Sequence, residues 1–167
     1  MDLILVRHAI AFERDPLRWP DDSERPLTPA GTATFEQVAN GLRQVVKSVD
    51  VTLSSPFVRA MQTARILEDV ARWPKLEICE VLEPSHDPLE VIAYLREHHP
   101  SGVVALVGHE PLMGELAGTL LSGAGGAAQP FKKGGAACFR SIQDTPGGLM
   151  MLRWWLPPKV ARKLGSA

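Results

Sequence analysis

The chain has 167 residues, of which 45% are hydrophobic and 22% are charged, and its formal net charge is −1. This length and composition are typical of one globular domain around a single core, so we predict a single domain over residues 1–167. A net charge near zero gives no broad basic surface for nucleic acid or an anionic membrane. We therefore expect neither as a partner, and any positive site must be local.

The start of the chain and its cysteines predict a cellular compartment. Met1 and Asp2 lead directly into LILV, which is too short for the apolar core of a signal peptide and has no basic leader. Cys79 and Cys138 stand far apart, in no metal-ligand or redox spacing, and we expect two reduced, packed thiols. A cytoplasmic location is the expectation.

Short apolar runs alternate with longer amphipathic ones, which is typical of strands joined by helices on a largely parallel sheet. We predict strands at residues 3–6, 51–53, 76–80 and 103–107. Helices are predicted at 28–46, where apolar residues recur at helical spacing, and at 88–98 and 111–121. Between them, SSPFVRAMQTARIL predicts a helix with serine at its cap and Pro56 in its first turn.

The last third of the chain has a different pattern. GGAACFRSI and GGLMMLRWWL predict an antiparallel hairpin that closes the sheet. GAGG at 123–126 lacks the Lys-Ser/Thr ending of a phosphate loop and is predicted as a flexible turn. The final PPKVARKLGSA is predicted as a solvated, partly frayed end. The predicted fold is a three-layer α/β/α sandwich with a mostly parallel sheet and a C-terminal antiparallel hairpin.

Cationic or imidazole side chains follow three of the predicted strands. Arg7 and His8 follow the first, Arg59 follows the second in SSPFVRA, and His109 follows the fourth in GHEP. Ligands of open parallel sheets bind outside the carboxyl ends of the strands, so these groups should meet at one edge. Arg59 would lie near a helix N-terminus, which disfavours a cation unless an anion is bound there. The alternative is an arginine that turns to a surface carboxylate.

Two imidazoles and two arginines around one point make a poor hydrophobic core and a good oxyanion site. Their combined positive field favours neutral imidazole over imidazolium. A neutral imidazole with a free lone pair is a nucleophile. The strand ends therefore predict a site that binds an anion and attacks it.

Four motifs, VRHA, ERPLTPAG, SSPFVRAMQTA and LVGHEP, resemble those of the histidine phosphatase superfamily, in the order which that family uses. The short length and the RPLT segment resemble its SixA-type phosphohistidine phosphatases. The resemblance implies that His8 takes the phosphoryl group, that Arg7, Arg59 and His109 bind its oxygens, and that no metal or other cofactor is needed. It also implies that Arg25 lies near the pocket mouth. Ala9 stands where much of the superfamily has glycine, and alanine fits there if its φ is negative.

The resemblance leaves the general acid open. Many relatives use a glutamate after the third strand, and in LEPSHDP the candidates are Glu83, His86 and Asp87. Glu83 and His86 are predicted to contact the substrate, whereas Asp87 before Pro88 is also an ordinary helix cap. The connection over residues 9–27 lacks periodicity and is expected to border the pocket, with Trp19 near its mouth.

The leading functional hypothesis is a phosphatase that hydrolyses phosphohistidine or phosphomonoesters through a phosphorylated His8, with a phosphorylated protein or a small phosphomonoester as its partner. One alternative is a phosphate-binding regulatory module with little turnover. Another is a phosphoglycerate-mutase-type small-molecule phosphatase or mutase, of which the mutase would need a pocket closed to water. A metallohydrolase using His8, His86, Asp87 and His109 is disfavoured because arginines would repel the metal.

Overall fold

The computed structural model describes residues 1–142 and 149–166, and within them six strands form one sheet. In chain order they are β1 (Asp2–Arg7), β2 (Val51–Ser54), β3 (Leu76–Ile78), β4 (Val103–Gly108), β5 (Ala136–Ser141) and β6 (Met150–Leu156). Their order in space is β3-β2-β4-β1-β5-β6. The first four pair in parallel, and β5 and β6 are antiparallel, as predicted. Gly147 and Gly148 of the predicted hairpin lie outside the described residues.

The helices begin where the sequence supplies caps and prolines. They are α1 (Pro29–Val45), α2 (Val58–Ile66), α3 (Pro88–His98), α4 (Leu112–Ser122) and α5 (Pro158–Leu164). Thr28 caps α1 by accepting a hydrogen bond from the Gly31 N–H at 2.9 Å. Asp87 caps α3, and Glu90 completes a capping box. Within the described residues no helix is long and apolar enough to cross a membrane.

The alternating side chains of the strands feed two separate cores. In β1, Ile4 and Val6 pack with α1, α2 and α5, whereas Leu3 and Leu5 pack with α3 and α4 on the opposite face. Period-two alternation in a sheet buried on both sides produces this division. The predicted three-layer α/β/α architecture is confirmed.

The start of α2 differs from the prediction. The helix begins at Val58 with Phe57 at its cap position, and no side chain caps it. Ser55 is not the cap because its hydroxyl lies 2.9 Å from Nε2 of His109 and accepts a 3.3 Å hydrogen bond from the Phe57 N–H. Arg59 remains in the first turn. β3 is also shorter than predicted, since a 3₁₀ turn begins at Glu80.

The prediction of a frayed C-terminus is wrong. The segment forms α5, which packs on α1, and Ala161 is 1% exposed. The contact is close because Gly41 of α1 has no side chain, and a Cβ there would overlap the carbonyl oxygen of Ala161. The signal in the sequence was Pro158 at the first turn, with Arg162 and Lys163 in the last turn.

Candidate active site

The register of the parallel strands brings three segments to one edge. Arg7 at the end of β1 lies opposite Gly108 of β4, and Ser54 of β2 lies opposite Val107. His8 and His109 therefore follow their strands at the same level, and Ser55 follows β2 one position earlier, level with Gly108. The His8 N–H donates to the Gly108 carbonyl at 2.9 Å, and the His8 and His109 ring centres are 5.1 Å apart.

The surroundings of His8 fix its tautomer. Nδ1 lies 2.7 Å from the Ala9 carbonyl oxygen, which only accepts, so Nδ1 carries the proton and Nε2 keeps its lone pair. The ring is 6% exposed, and burial lowers the pKa of His8 to about 3, with Arg59 and Arg7 acting in the same direction. His8 is thus neutral over the physiological pH range.

His109 is neutral for the same reasons. It is 2% exposed, and burial lowers its pKa to about 2, with smaller effects from His8 and Arg59. Its Nε2 faces the Ser55 hydroxyl. If that hydroxyl donates, the ring proton stays on Nδ1, which then becomes a donor.

Hydrogen bonds to other parts of the chain fix part of the guanidinium of both Arg7 and Arg59. NH1 of Arg7 donates to the Phe131 carbonyl at 2.5 Å. NH1 and NH2 of Arg59 bond to the backbone and carboxylate oxygens of Asp22, at 2.7 and 3.0 Å. The Arg59 guanidinium also lies 4.9 Å from the centre of the Phe57 ring. Arg59 therefore has the carboxylate partner that the alternative reading allowed, but it is 4% exposed and lies beside the histidines.

Three buried nitrogens of this cluster have no hydrogen-bond partner in the described part of the chain: Nε of Arg7, Nε of Arg59 and Nδ1 of His109. Leaving such a group buried and unpaired costs about 1–3 kcal/mol, and more when it is charged. A tetrahedral oxyanion bound at this edge would offer acceptor oxygens to donors of this kind. The cluster is suited to bind phosphate.

Asp22 links Arg25 to the same cluster. Arg25 was predicted from the sequence, whereas Asp22 was not. Nε of Arg25 donates to Asp22 Oδ1 at 2.8 Å, and its NH1 donates to the Phe12 carbonyl at 2.6 Å. Asp22 thus joins Arg25 to Arg59. Partial burial raises the pKa of Asp22, but the two arginines outweigh it and the net pKa is lowered. The only sequence signal was an acidic run, DDSE, directly before the RPLT motif.

The motif on α2 holds the connection over residues 9–27 against the site. Thr63 Oγ1 accepts from the Ala9 N–H at 3.0 Å, and Gln62 Oε1 accepts from the Leu27 N–H at 2.8 Å. Trp19 packs on Phe12, with ring centres 5.2 Å apart. The connection contacts the cluster through Asp22, which bonds to both Arg59 and Arg25.

The three candidates for the general acid are placed differently. Nδ1 of His86 pairs with Glu90 at 2.7 Å, and Asp87 caps α3, so both engage their own helix. Glu83 is partly exposed and follows Leu82, whose carbonyl oxygen lies 3.5 Å from the Cβ position of Gly108. Glu83 is therefore next to the edge of the site, and its role stays a prediction.

The four residues of the metallohydrolase alternative are not brought together, because His86 and Asp87 are engaged on α3. In the described ranges, no group of three or more His, Cys, Asp or Glu side chains could hold a metal ion.

Comparison with known proteins agrees with this geometry. Residues 3–83 match the histidine phosphatase superfamily (branch 1). A protein of Picosynechococcus sp. that carries only the name uncharacterised is 34% identical over 167 residues, 94% of this chain and all of that one. The phosphohistidine phosphatase SixA of Escherichia coli K12 is 34% identical over 126 residues, 74% of this chain and 76% of that protein. A solved structure of the protein histidine phosphatase SixA complexed with tungstate superposes with a TM-score of 0.81 at 29% identity, covering 95% and 98% of the two chains.

The chain belongs to the histidine phosphatase superfamily and has its phosphoglycerate-mutase-like fold. Within the superfamily it is a hydrolase of the SixA type. Of the described residues other than glycine, only Arg72 has a positive φ, so Ala9 is accommodated where relatives have glycine.

Proposed function

We propose that this chain is a phosphohistidine phosphatase that works through a phosphoryl group transferred to Nε2 of His8. The observation that carries the proposal is the set of three buried, unpaired nitrogens on Arg7, Arg59 and His109 beside a neutral His8. A bound phosphoryl group supplies the acceptors that these nitrogens lack. Since phosphoryl transfer depends mostly on positioning and charge stabilisation, this arrangement supplies what the reaction needs.

The proposed reaction has two in-line steps. In the first, the lone pair on Nε2 of His8 forms a bond to phosphorus while the bond to the leaving group breaks. The Ala9 carbonyl accepts from Nδ1–H and supports the positive charge that develops on the ring. In the second step, water attacks phosphorus and the bond between phosphorus and Nε2 breaks. His8 is released as neutral imidazole, and inorganic phosphate retains the protons of the water. Arg7, Arg59 and His109 hold the equatorial oxygens in both steps.

The leaving group favours phosphohistidine as the substrate. An alkoxide is so basic that a positioned proton donor is worth roughly 10²–10⁴ in rate. Imidazole, with a reference pKa of about 6.5, can instead be protonated from solvent. His86 and Asp87 are engaged on α3, which leaves Glu83 as the remaining candidate donor of the three.

The surroundings of the site favour a substrate carried by a protein. The connections from β2 to α2 and from β4 to α4 consist only of residues 55–57 and 109–111. The longer connections at this edge are those over residues 8–28, 79–87 and 123–135. The two short connections support a substrate presented on a phosphorylated side chain over the closed, water-excluding pocket of a mutase. We keep the cytoplasm as the proposed compartment because Cys79 and Cys138 are buried free thiols.

Comparing leaving groups tests this proposal. The kcat/KM should be measured for a phosphohistidine peptide, p-nitrophenyl phosphate and glycerol phosphate, on the parent and on Glu83→Gln. We expect the first two substrates to be favoured over the alkyl phosphate by at least about 10²-fold, and little change in the variant. Efficient alkyl-phosphate hydrolysis that collapses in Glu83→Gln would show that Glu83 is a general acid and that the substrate class is wrong.

A further inference from the structure

The backbone of Phe131 connects Arg7 to a carboxylate that the proposed reaction does not use. The Phe131 carbonyl accepts from Arg7 NH1 at 2.5 Å, and its N–H donates to Glu110 Oε1 at 2.8 Å. Glu110 is the residue after His109, at the start of the turn into α4. One peptide segment thus links the end of β1 to the end of β4.

Arg7 depends on this link for its orientation. The side chain extends from the last residue of β1, and its buried Nε has no partner in the described chain. The Phe131 carbonyl is the acceptor that fixes the guanidinium. That carbonyl belongs to a segment with no helix or strand, which precedes β5. The position of Arg7 is therefore only as well defined as the position of Phe131.

Phe131 is held from two sides. Its ring is 2% exposed and stacks on Trp155, with ring centres 4.1 Å apart. This stacking fixes the side chain, but rotation of the peptide about it would still move the carbonyl. The hydrogen bond from the Phe131 N–H to Glu110 opposes that rotation.

The carboxylate of Glu110 is occupied by backbone rather than directed at a substrate. Besides the Phe131 N–H, the backbone of Gly114 hydrogen-bonds to it, and Oε2 lies 2.8 Å from the Cβ position of Gly114. Burial raises the pKa of Glu110, although Arg7 and these backbone bonds oppose the shift. A carboxylate whose oxygen accepts a backbone N–H bond in this way is suited to hold a loop in place.

We propose that Glu110 is a positioning residue which, through the Phe131 backbone, aims the Arg7 guanidinium at the phosphoryl oxygens. The inference rests on the proposed function, since it assumes that Arg7 binds the phosphoryl group. It gives Glu110, the glutamate of GHEP, a different role from that of the candidate general acids Glu83, His86 and Asp87. The role is indirect: Glu110 acts on Arg7 and does not touch the substrate.

The test is a double-mutant cycle between Glu110 and Arg7, measured both as kcat/KM for p-nitrophenyl phosphate and as tungstate affinity by calorimetry. Glu110→Ala should lower both by about tenfold or more in the parent, but by less than about twofold when Arg7→Ala is already present. Glu110→Gln retains an acceptor for the Phe131 N–H and should recover most of the loss. Glu115→Ala, one turn into α4 and exposed, is the matched control and should change neither quantity.

Glu110→Asp covers the case in which the alanine variant does not fold. It keeps the charge but shortens the reach, so it should resemble Glu110→Ala in the cycle. Equal losses in the parent and Arg7→Ala backgrounds would overturn the proposal in favour of a general structural role. A Glu110→Gln variant that loses alkyl-phosphate activity selectively and changes the basic limb of the pH profile would overturn it in favour of a proton donor. Tungstate affinity is measured without turnover, so a chain that hydrolyses none of the substrates would contradict the proposed function while the cycle still tests Glu110.

Discussion

His8 and His109 are both buried beside arginines, and this location has a cost at low pH. An unfolded histidine takes up a proton near pH 6.5, whereas the folded pKa values are about 3 and about 2. Between those values the unfolded state binds more protons than the folded state, so the free energy of unfolding falls as the pH is lowered. The site that keeps His8 and His109 neutral therefore destabilises the fold in acid.

This linkage predicts the size of the effect. Lowering the pH from about 8 to about 5 should reduce the free energy of unfolding by about 2 kcal/mol for each of the two histidines. The unfolded imidazole takes up its proton near pH 6.5, about 1.5 units above the final pH, and each pH unit contributes about 1.36 kcal/mol. Urea unfolding of the parent and of His8→Asn at both pH values measures it. The variant should lose about 2 kcal/mol less than the parent. An equal loss in both would show that His8 does not stay neutral in the fold.

At the scale of residues, the sequence located the parts of the site that follow strands. Arg7, His8, Arg59 and His109 were predicted because residues at the carboxyl ends of parallel strands share an edge. Asp22 was missed because it lies in a connection without periodicity, and no spacing rule places it against Arg59, 37 positions later. Its position depends on how the connection over residues 9–27 folds back onto α2.

At the scale of elements, α5 shows what the sequence pattern did not reveal. PKVARKL is short and basic, which is typical of a solvated end, yet Ala161 packs against Gly41 of α1. The close packing depends on two small residues, Gly41 and Ala161, which are 120 positions apart. Considering each predicted helix by itself does not show that they meet. The strongly periodic α1 was predicted to within one residue at each end.

Gly41→Ala tests this packing by the sign of its effect. In an uncovered helix interior, Gly→Ala stabilises by about 1 kcal/mol. Here the added Cβ would overlap the Ala161 carbonyl, so we expect destabilisation of about 1–3 kcal/mol in urea unfolding. Ala33→Gly, at an exposed position of α1, measures helix propensity alone. A stabilised Gly41→Ala variant would mean that α5 does not cover this face.

At the scale of the whole molecule, the alternation of strands and helices predicted the layers, and right-handed connections leave few topologies for a mostly parallel sheet. The spatial order, with β4 between β2 and β1, was not predicted. The inner strands are apolar on both faces, so their sequences do not indicate which strand pairs with which. That order matters for function because it places the end of β4, and with it His109, between the ends of β1 and β2. The single domain over residues 1–167 stays a prediction.

The central claim is that His8 carries the phosphoryl group, and trapping that intermediate tests it most directly. The parent and His8→Ala should be mixed with excess p-nitrophenyl phosphate, quenched in alkali, which preserves phosphohistidine, and digested for mass spectrometry. The account predicts phosphate on the peptide that contains His8 in the parent. It also predicts no phosphopeptide and a loss of at least about 10³-fold in kcat for a folded His8→Ala. Phosphate on another residue, or activity of His8→Ala within about tenfold of the parent, would contradict it.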